Sequence, residues 1–238
     1  MEENKRKILS GSALKCIALI TMITDHIAAH ILINMKDMTD ALIVVAGYKI
    51  SVYLIMRIIG RLAFPIYCFL LTEGFIHTHD RTKYGINLFF FALVSEIPWD
   101  LEHKGQCFYI KSQNVFFTLF LGYLALCIYE KYKDSHKELT ISIMTIFFIS
   151  MFLKADYGTF GVAFILIMYF LRDNKIIRAV VGSSILSLPF AVIFSFWLIN
   201  MYSGERGFIK GKIAKYAFYA IYPVHIFIIY LIKKELLS

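Results

Sequence analysis

Charge is scarce in this sequence: 18% of its 238 residues are charged, against 59% hydrophobic and 16% aromatic, and the mean hydropathy is +0.66. A soluble domain of this length carries about a quarter charged residues, so the composition excludes one. Cysteine is also sparse, with Cys16, Cys68, Cys107 and Cys127 scattered along the chain. That excludes a disulfide framework and a Cys/His zinc spacing, and three of the four fall in apolar runs where Cys acts as a small hydrophobe. No glycine-rich phosphate loop is present, which removes the usual sequence support for nucleotide binding. The first hydrophobic segment has no small-residue cleavage site and carries Asp25 and His26, so it reads as a retained helix rather than a signal peptide. His77 and His79 in "HTHDR" read as a solvated loop, and no metal site is expected.

What the chain has instead is one apolar run after another. A bilayer core about 30 Å thick needs roughly 20 mostly apolar residues per crossing helix. Runs bounded by charge, Gly or Pro predict helices near 13–34, 50–77, 84–101, 113–130, 139–154, 157–171, 176–201 and 213–234. The expected fold is an all-α integral membrane protein, a bundle of about eight transmembrane helices in the cell membrane. The whole chain, 1–238, reads as a single transmembrane domain. "ALIVVAG" at 41–47 is a weak extra segment, expected to lie in the interface or to extend the second helix. With the N-terminus inside, most of the 25 Lys and Arg fall in inner tails and loops, which puts both termini in the cytoplasm. The net charge of +8 sits in short loops and tails beside apolar runs, so it points to anionic lipid headgroups rather than nucleic acid.

Against this background the ionisable residues at membrane depth stand out. Asp25 and His26 fall near the middle of the first helix, Arg61 near the middle of the second with Arg57 one turn outward, and His225 near the middle of the last. A central Asp or Arg costs roughly 2.5 to 3.5 kcal/mol on insertion, so such residues face a bundle interior or a wet cavity and mark function by default. Arg57 and Arg61 share a helix face, as do His26 and His30, and Tyr222 lies one turn before His225. Asp25 and His26 point about 100° apart, so a group from another helix must orient His26. His225, Glu96 and Tyr222 are the candidates. A purely structural alternative pairs Asp25 with an arginine of the second helix and lets the histidines bridge helices. Pro65, Pro98 and Pro223 lie beside ionisable residues and suggest irregular helices around a pocket, with the carbonyl near residue 61 freed by Pro65.

Six stretches in order, "LKCIALITMITDHI" (14–27), "RIIGRLAFPIYCFLLTEGFIHT" (57–78), "YGINLFFFALVSEIPWDL" (84–101), "NVFFTLFLG" (114–122), "ADYGTFGV" (155–162) and "FYAIYPVHI" (218–226), resemble the successive signatures of the TraX family. That family is named for the membrane protein that acetylates the N-terminus of F-type conjugative pilin. It is distantly similar to acyltransferase-3 and heparan-glucosaminide acetyltransferase types, which place a functional His in an early transmembrane helix.

The resemblance implies an acetyltransferase moving an acetyl group from acetyl-CoA to an amine or hydroxyl of a membrane-associated acceptor, such as a pilin-like protein, peptide or glycan. It makes His26 the candidate general base with Asp25 beside it. Arg61, Glu96, Asn114, Asp156, Tyr157, Tyr222 and His225 fall on the other motif positions. In that scheme Arg61 or Asn114 stabilises the oxyanion, and His225 or Glu96 orients the base. Arg81, Lys83, Arg172 and Lys175 in inner loops are candidate partners for the coenzyme phosphates. Arg57 and Tyr222 are further cofactor-side candidates, although Arg57 falls in the outer half of its helix. A competing reading makes Asp25, His26 and His225 the relay of a small proton- or ion-coupled carrier, although no inverted repeat is evident.

Overall fold

Several helices begin where a short polar side chain takes up an orphan N–H group of the first turn. In the computed structural model, which describes residues 8–186 and 189–237, Ser10 Oγ accepts from Ala13 N at 3.2 Å and starts α1 (Gly11–His30). The charged start "MEENKRK", with Lys5, Arg6 and Lys7 of the expected inner tail, lies outside the described residues. The chain folds into two compact units, the first from residues 1–67 with 187–238 and the second from residues 68–186.

In the first unit α1 runs into a short 3₁₀ turn (Leu32–Asn34) and a one-turn helix α2 (Lys36–Thr39). The "ALIVVAG" segment does not extend the second helix. It forms β1 (Ile43–Val45), which pairs antiparallel with β2 (Tyr48–Ile50). Ala46 and Gly47 take φ of 49° and 83°, the doubly left-handed turn that matches strand twist, and the β-branched run before them favours a strand.

Ser51 then caps α3 (Val52–Gly60), accepting from Leu54 N at 3.2 Å. The expected single helix over 50–77 breaks at Arg61 and Leu62, where bonds to Ile58 O and Ile59 O replace the α-helical ladder, and resumes as α4 (Ala63–His77). Pro65 explains the position, since it can return no hydrogen bond to Arg61 O. The expected helix over 176–201 is two pieces, α9 (Lys175–Ile185) in the second unit and α10 (Pro189–Asn200) in the first. By contrast α11 (Gly211–Leu237) passes through Pro223 unbroken, so the expected irregularity is absent there.

Two α1 faces are held in this unit. One packs against α3, and another meets α11. The start of α1 is tied to the segment before α11: Ser12 Oγ donates to Arg206 O at 2.8 Å and accepts from Ile209 N at 2.7 Å, and Gly11 N donates to Glu205 O at 2.8 Å.

The second unit is a bundle around α6 (Val115–Tyr132), which packs against α5 (Arg81–Lys104), α7 (His136–Leu153) and α8 (Gly158–Phe170). Its fully buried side chains include Phe75, Tyr123, Leu126, Phe164, Ile165 and Met168. α5 runs unbroken through Pro98. Outward, α7 presents Ile141, Met144, Phe148, Met151 and Phe152, all more than half exposed. So large an apolar face is unstable against water and ordinary against lipid. Among the described residues five segments are long and apolar enough to cross a bilayer: Gly11–Asn34, Val52–His77, Val115–Tyr132, His136–Leu153 and Gly211–Leu236. The architecture is that of a helical membrane protein.

Candidate functional site

His26 on α1 and His225 on α11 meet. Their Nδ1 and Nε2 atoms are 2.6 Å apart, with the ring planes inclined by 5° and the centroids separated by 4.9 Å. Parallel rings stacked face to face cannot bring two nitrogens this close. The rings therefore lie side by side in nearly one plane, joined by an in-line hydrogen bond.

The rest of the chain of bonds assigns the protons. His225 Nδ1 lies 2.9 Å from Ile221 O, and a carbonyl only accepts, so His225 Nδ1 carries hydrogen. In its neutral form His225 then accepts at Nε2, so the proton of the bond is carried by His26 Nδ1. A neutral His26 so held has its basic lone pair on Nε2. Of the three candidates for orienting His26, His225 is the one whose ring nitrogen bonds to it. Tyr222, buried at 5% exposure, stands edge-on to both rings, with centroids 6.1 Å from His26 and 5.5 Å from His225. The ring of His30, one turn along α1, lies 5.9 Å from that of His26.

Asp25 points elsewhere, as its 100° offset requires. Its Oδ2 pairs with Arg57 Nη1 at 2.8 Å, and both side chains are mostly buried, at 17% and 23% exposure. Its Oδ1 is buried without a hydrogen-bond partner among the described residues. The helices approach closely here because Gly60 has no side chain: a Cβ at that position would overlap Asp25. Arg57 is thus occupied by α1. Arg61 sits at the break after α3, and its Nε is buried with no hydrogen-bond partner among the described residues. A cation with an uncommitted donor at a helix break is what an arriving negative oxygen would need.

The second unit holds the other motif residues. Asn114 caps α6 by accepting from Phe116 N at 3.0 Å, and its amide donates to Ala92 O at 2.8 Å and to Glu96 Oε2 at 2.5 Å. Its amide protons are therefore committed to the fold, and of the two oxyanion donors considered, Arg61 has the uncommitted N–H. Asn114→Ala is expected to destabilise the protein by about 1–3 kcal/mol through the lost cap and the buried acceptors left behind, read as a lowered unfolding midpoint in detergent. Asp156 N donates to Gln113 O at 2.9 Å, and Thr118 Oγ1 donates to Asp156 O, which fastens the "ADYG" turn to the start of α6. Tyr157 takes φ of 64° as that turn enters α8. Arg81 and Lys83 open α5 as exposed residues.

Sequence reasoning missed the Ile221 carbonyl as an anchor, which no side-chain pattern reveals. It also missed Gly60, although a glycine three residues after Arg57 was a readable sign of close approach. Asp100 and Glu102, buried at 1% and 3%, went unremarked as well. The four-residue spacing from Glu96 to Asp100 was the signal available. Asp100 Oδ2 accepts from Tyr109 N at 2.6 Å, and Glu102 pairs with His103 at 2.9 Å while that ring stacks on Trp99 with centroids 3.7 Å apart.

Comparison with known proteins agrees with the motif order. No solved structure matches the chain significantly. A curated relative, described as a probable fimbrial assembly protein FimC, serogroup H1, from Dichelobacter nodosus, is 31% identical over 248 residues, covering 91% of this chain and 93% of that protein. The TraX protein family matches residues 10–233, running through both units and every motif quoted above. The chain belongs to the TraX family.

Proposed function

We propose that the protein is a membrane-embedded acetyltransferase that uses His26 as a general base. The single observation that carries this reading is the bond chain from Ile221 O through His225 to His26, which presents a basic nitrogen at His26 Nε2. The reaction is acetyl–S–CoA plus an acceptor amine or hydroxyl, giving the acetylated acceptor and the free thiol. His26 Nε2 takes the acceptor's proton as its nitrogen or oxygen attacks the thioester carbonyl, and returns the proton to the departing thiolate. His225 accepts from Nδ1 throughout and holds the ring in place as it becomes an imidazolium. Arg61 donates to the oxygen that becomes negative. The Asp25–Arg57 pair fixes α1 against α3. Glu96 and Asn114 shape the second unit. Lys83 is assigned to the coenzyme phosphates on loop charge, and Tyr222 to packing the histidine pair.

The chain acts as one functional domain, multi-pass in the cell membrane, with eight crossings and both termini in the cytoplasm. α5, at about 36 Å, spans, and α8 and the α9–α10 pair supply the remaining crossings as shorter or interrupted segments. The fimbrial assembly description of the relative favours a pilin-like protein as acceptor.

The test is thiol release from acetyl-CoA by the purified protein in nanodiscs, with a membrane extract as acceptor. Release together with labelling of an acceptor supports the reading, and failure to bind or consume acetyl-CoA with extract present removes it. The in-line histidine bond also suits a proton relay, so liposome flux by the same preparation decides between the two.

A further inference from the structure

Between α5 and α6 of the second unit lies a cleft of about 610 Å³. Its two ends differ chemically. At one end the helix termini bring Arg81, Thr82 and Lys131 to the rim, and below them the walls are Gly85, Ile86, Phe89, Phe120, Leu124 and Cys127. Tyr123 fixes this geometry: its hydroxyl donates to Arg81 O at 2.7 Å from a side chain buried at 1%. Phe89 and Phe120 close the far end with ring centroids 5.0 Å apart.

The depth of the cleft is informative. At 1.5 Å per residue, α5 advances about 12 Å from Arg81 to Phe89, and α6 about 16 Å from Lys131 back to Phe120. Half a bilayer's hydrocarbon core is about 15 Å. α6 is itself one of the segments apolar enough to span, and Lys131 stands at its end. The cations therefore sit at headgroup level while the apolar walls reach toward the midplane. Ile86 and Phe89 are 62% and 42% exposed, so the groove opens sideways to the surroundings of the helices.

Two acidic groups stand at the rim, Glu130 within the cleft lining itself, and both are engaged. Glu130 accepts from Tyr169 Oη at 2.5 Å and lies 3.6 Å from Lys133, while Asp80 caps α5 by accepting from Lys83 N at 2.8 Å. The cations are held by ring faces: Arg81 Cζ is 4.4 Å from the Phe75 centroid and Lys131 Nζ 4.7 Å from that of Tyr132. Both keep N–H donors for an anion.

We infer that this cleft is a binding site for one anionic glycerophospholipid, its phosphate between Arg81, Thr82 and Lys131 and an acyl chain along the Phe89–Phe120 wall. A free nucleotide or inorganic phosphate would use the rim and leave the apolar walls unsatisfied. A zwitterionic lipid would place its own cation against Arg81 and Lys131.

The test is native mass spectrometry of the detergent-purified protein with phosphatidylglycerol or phosphatidylcholine of equal chain length. Each cation near the headgroups contributes about fivefold, so Arg81→Gln with Lys131→Gln should weaken phosphatidylglycerol retention roughly thirtyfold. Lys137→Gln, an exposed lysine outside the cleft, should leave it unchanged, and circular dichroism of each variant checks folding. A short-chain phosphatidylglycerol should be retained far more weakly than the long-chain form. Equal retention of the two headgroups by wild type, an unaltered preference in the double variant, an equal loss in Lys137→Gln, or displacement by coenzyme A at matched concentration each overturns the assignment.

Discussion

His26→Ala is expected to lower acetyl transfer by about 10²–10⁴-fold while leaving helix content unchanged, because general base catalysis contributes a factor of this size. The side chain is half-buried rather than part of the core, and its removal deletes the ring that His225 holds in place. His225→Ala tests a different step. It leaves the base in place but removes the group that holds its tautomer and orientation, so turnover should fall by a smaller factor, on the order of tenfold to a hundredfold, and the pH–rate profile should shift. A positioning residue moves that profile, whereas a packing defect alone would lower expression and activity together. Acetyl-CoA thiol release across pH for the two variants and wild type measures both effects.

Arg57→Ala is expected to destabilise the fold by about 3 kcal/mol, at the lower end of what breaking a buried ion pair costs because both partners keep some exposure. The loss is that of a stranded carboxylate: Asp25 Oδ2 loses Arg57, and Oδ1 is already without a hydrogen-bond partner among the described residues. Replacing the charge as well, in Arg57→Ala with Asp25→Asn, should recover most of the stability. Unfolding midpoints in detergent for the single and double variants give the comparison, and equal midpoints for the two would show that Asp25 is not what Arg57 stabilises. If transfer persists in the double variant, the pair is structural. Abolition of transfer in a folded double variant would place Asp25 or Arg57 in the chemistry.

The membrane character and the break near Arg61 were legible because each follows from a local rule. Apolar runs of bilayer length are read directly from composition, the angle between Asp25 and His26 is fixed by helix periodicity, and Pro65 frees a carbonyl wherever it occurs in a helix. The pairing of Asp25 with an arginine of the following helix was legible as a possibility for the same reason. The bond between His225 and His26 was not, since it depends on which face α11 turns toward α1, and no spacing within one helix fixes that. The hairpin at 43–50 was obscured because "ALIVVAG" is apolar enough for either environment, and the two positive-φ residues decide the matter. Asn114 looked like a donor for chemistry because its type permits it. Its actual bonds, to Ala92, Glu96 and Phe116, arise from a helix start that sequence alone did not mark as a cap. Pro98 and Pro223 misled in the opposite direction, as long helices absorb one missing hydrogen bond without breaking.

The central claim is that His225 holds His26 with its proton on Nδ1 and its basic lone pair on Nε2. Nitrogen-15 magnetic resonance of histidine-labelled protein in nanodiscs, with His26→Gln and His225→Gln used to assign the signals, reads this directly. The account predicts a neutral His26 protonated at Nδ1 and unprotonated at Nε2, coupled to a His225 of the same tautomer. A His26 protonated at Nε2, or one whose signals are unaffected by His225→Gln, would contradict it.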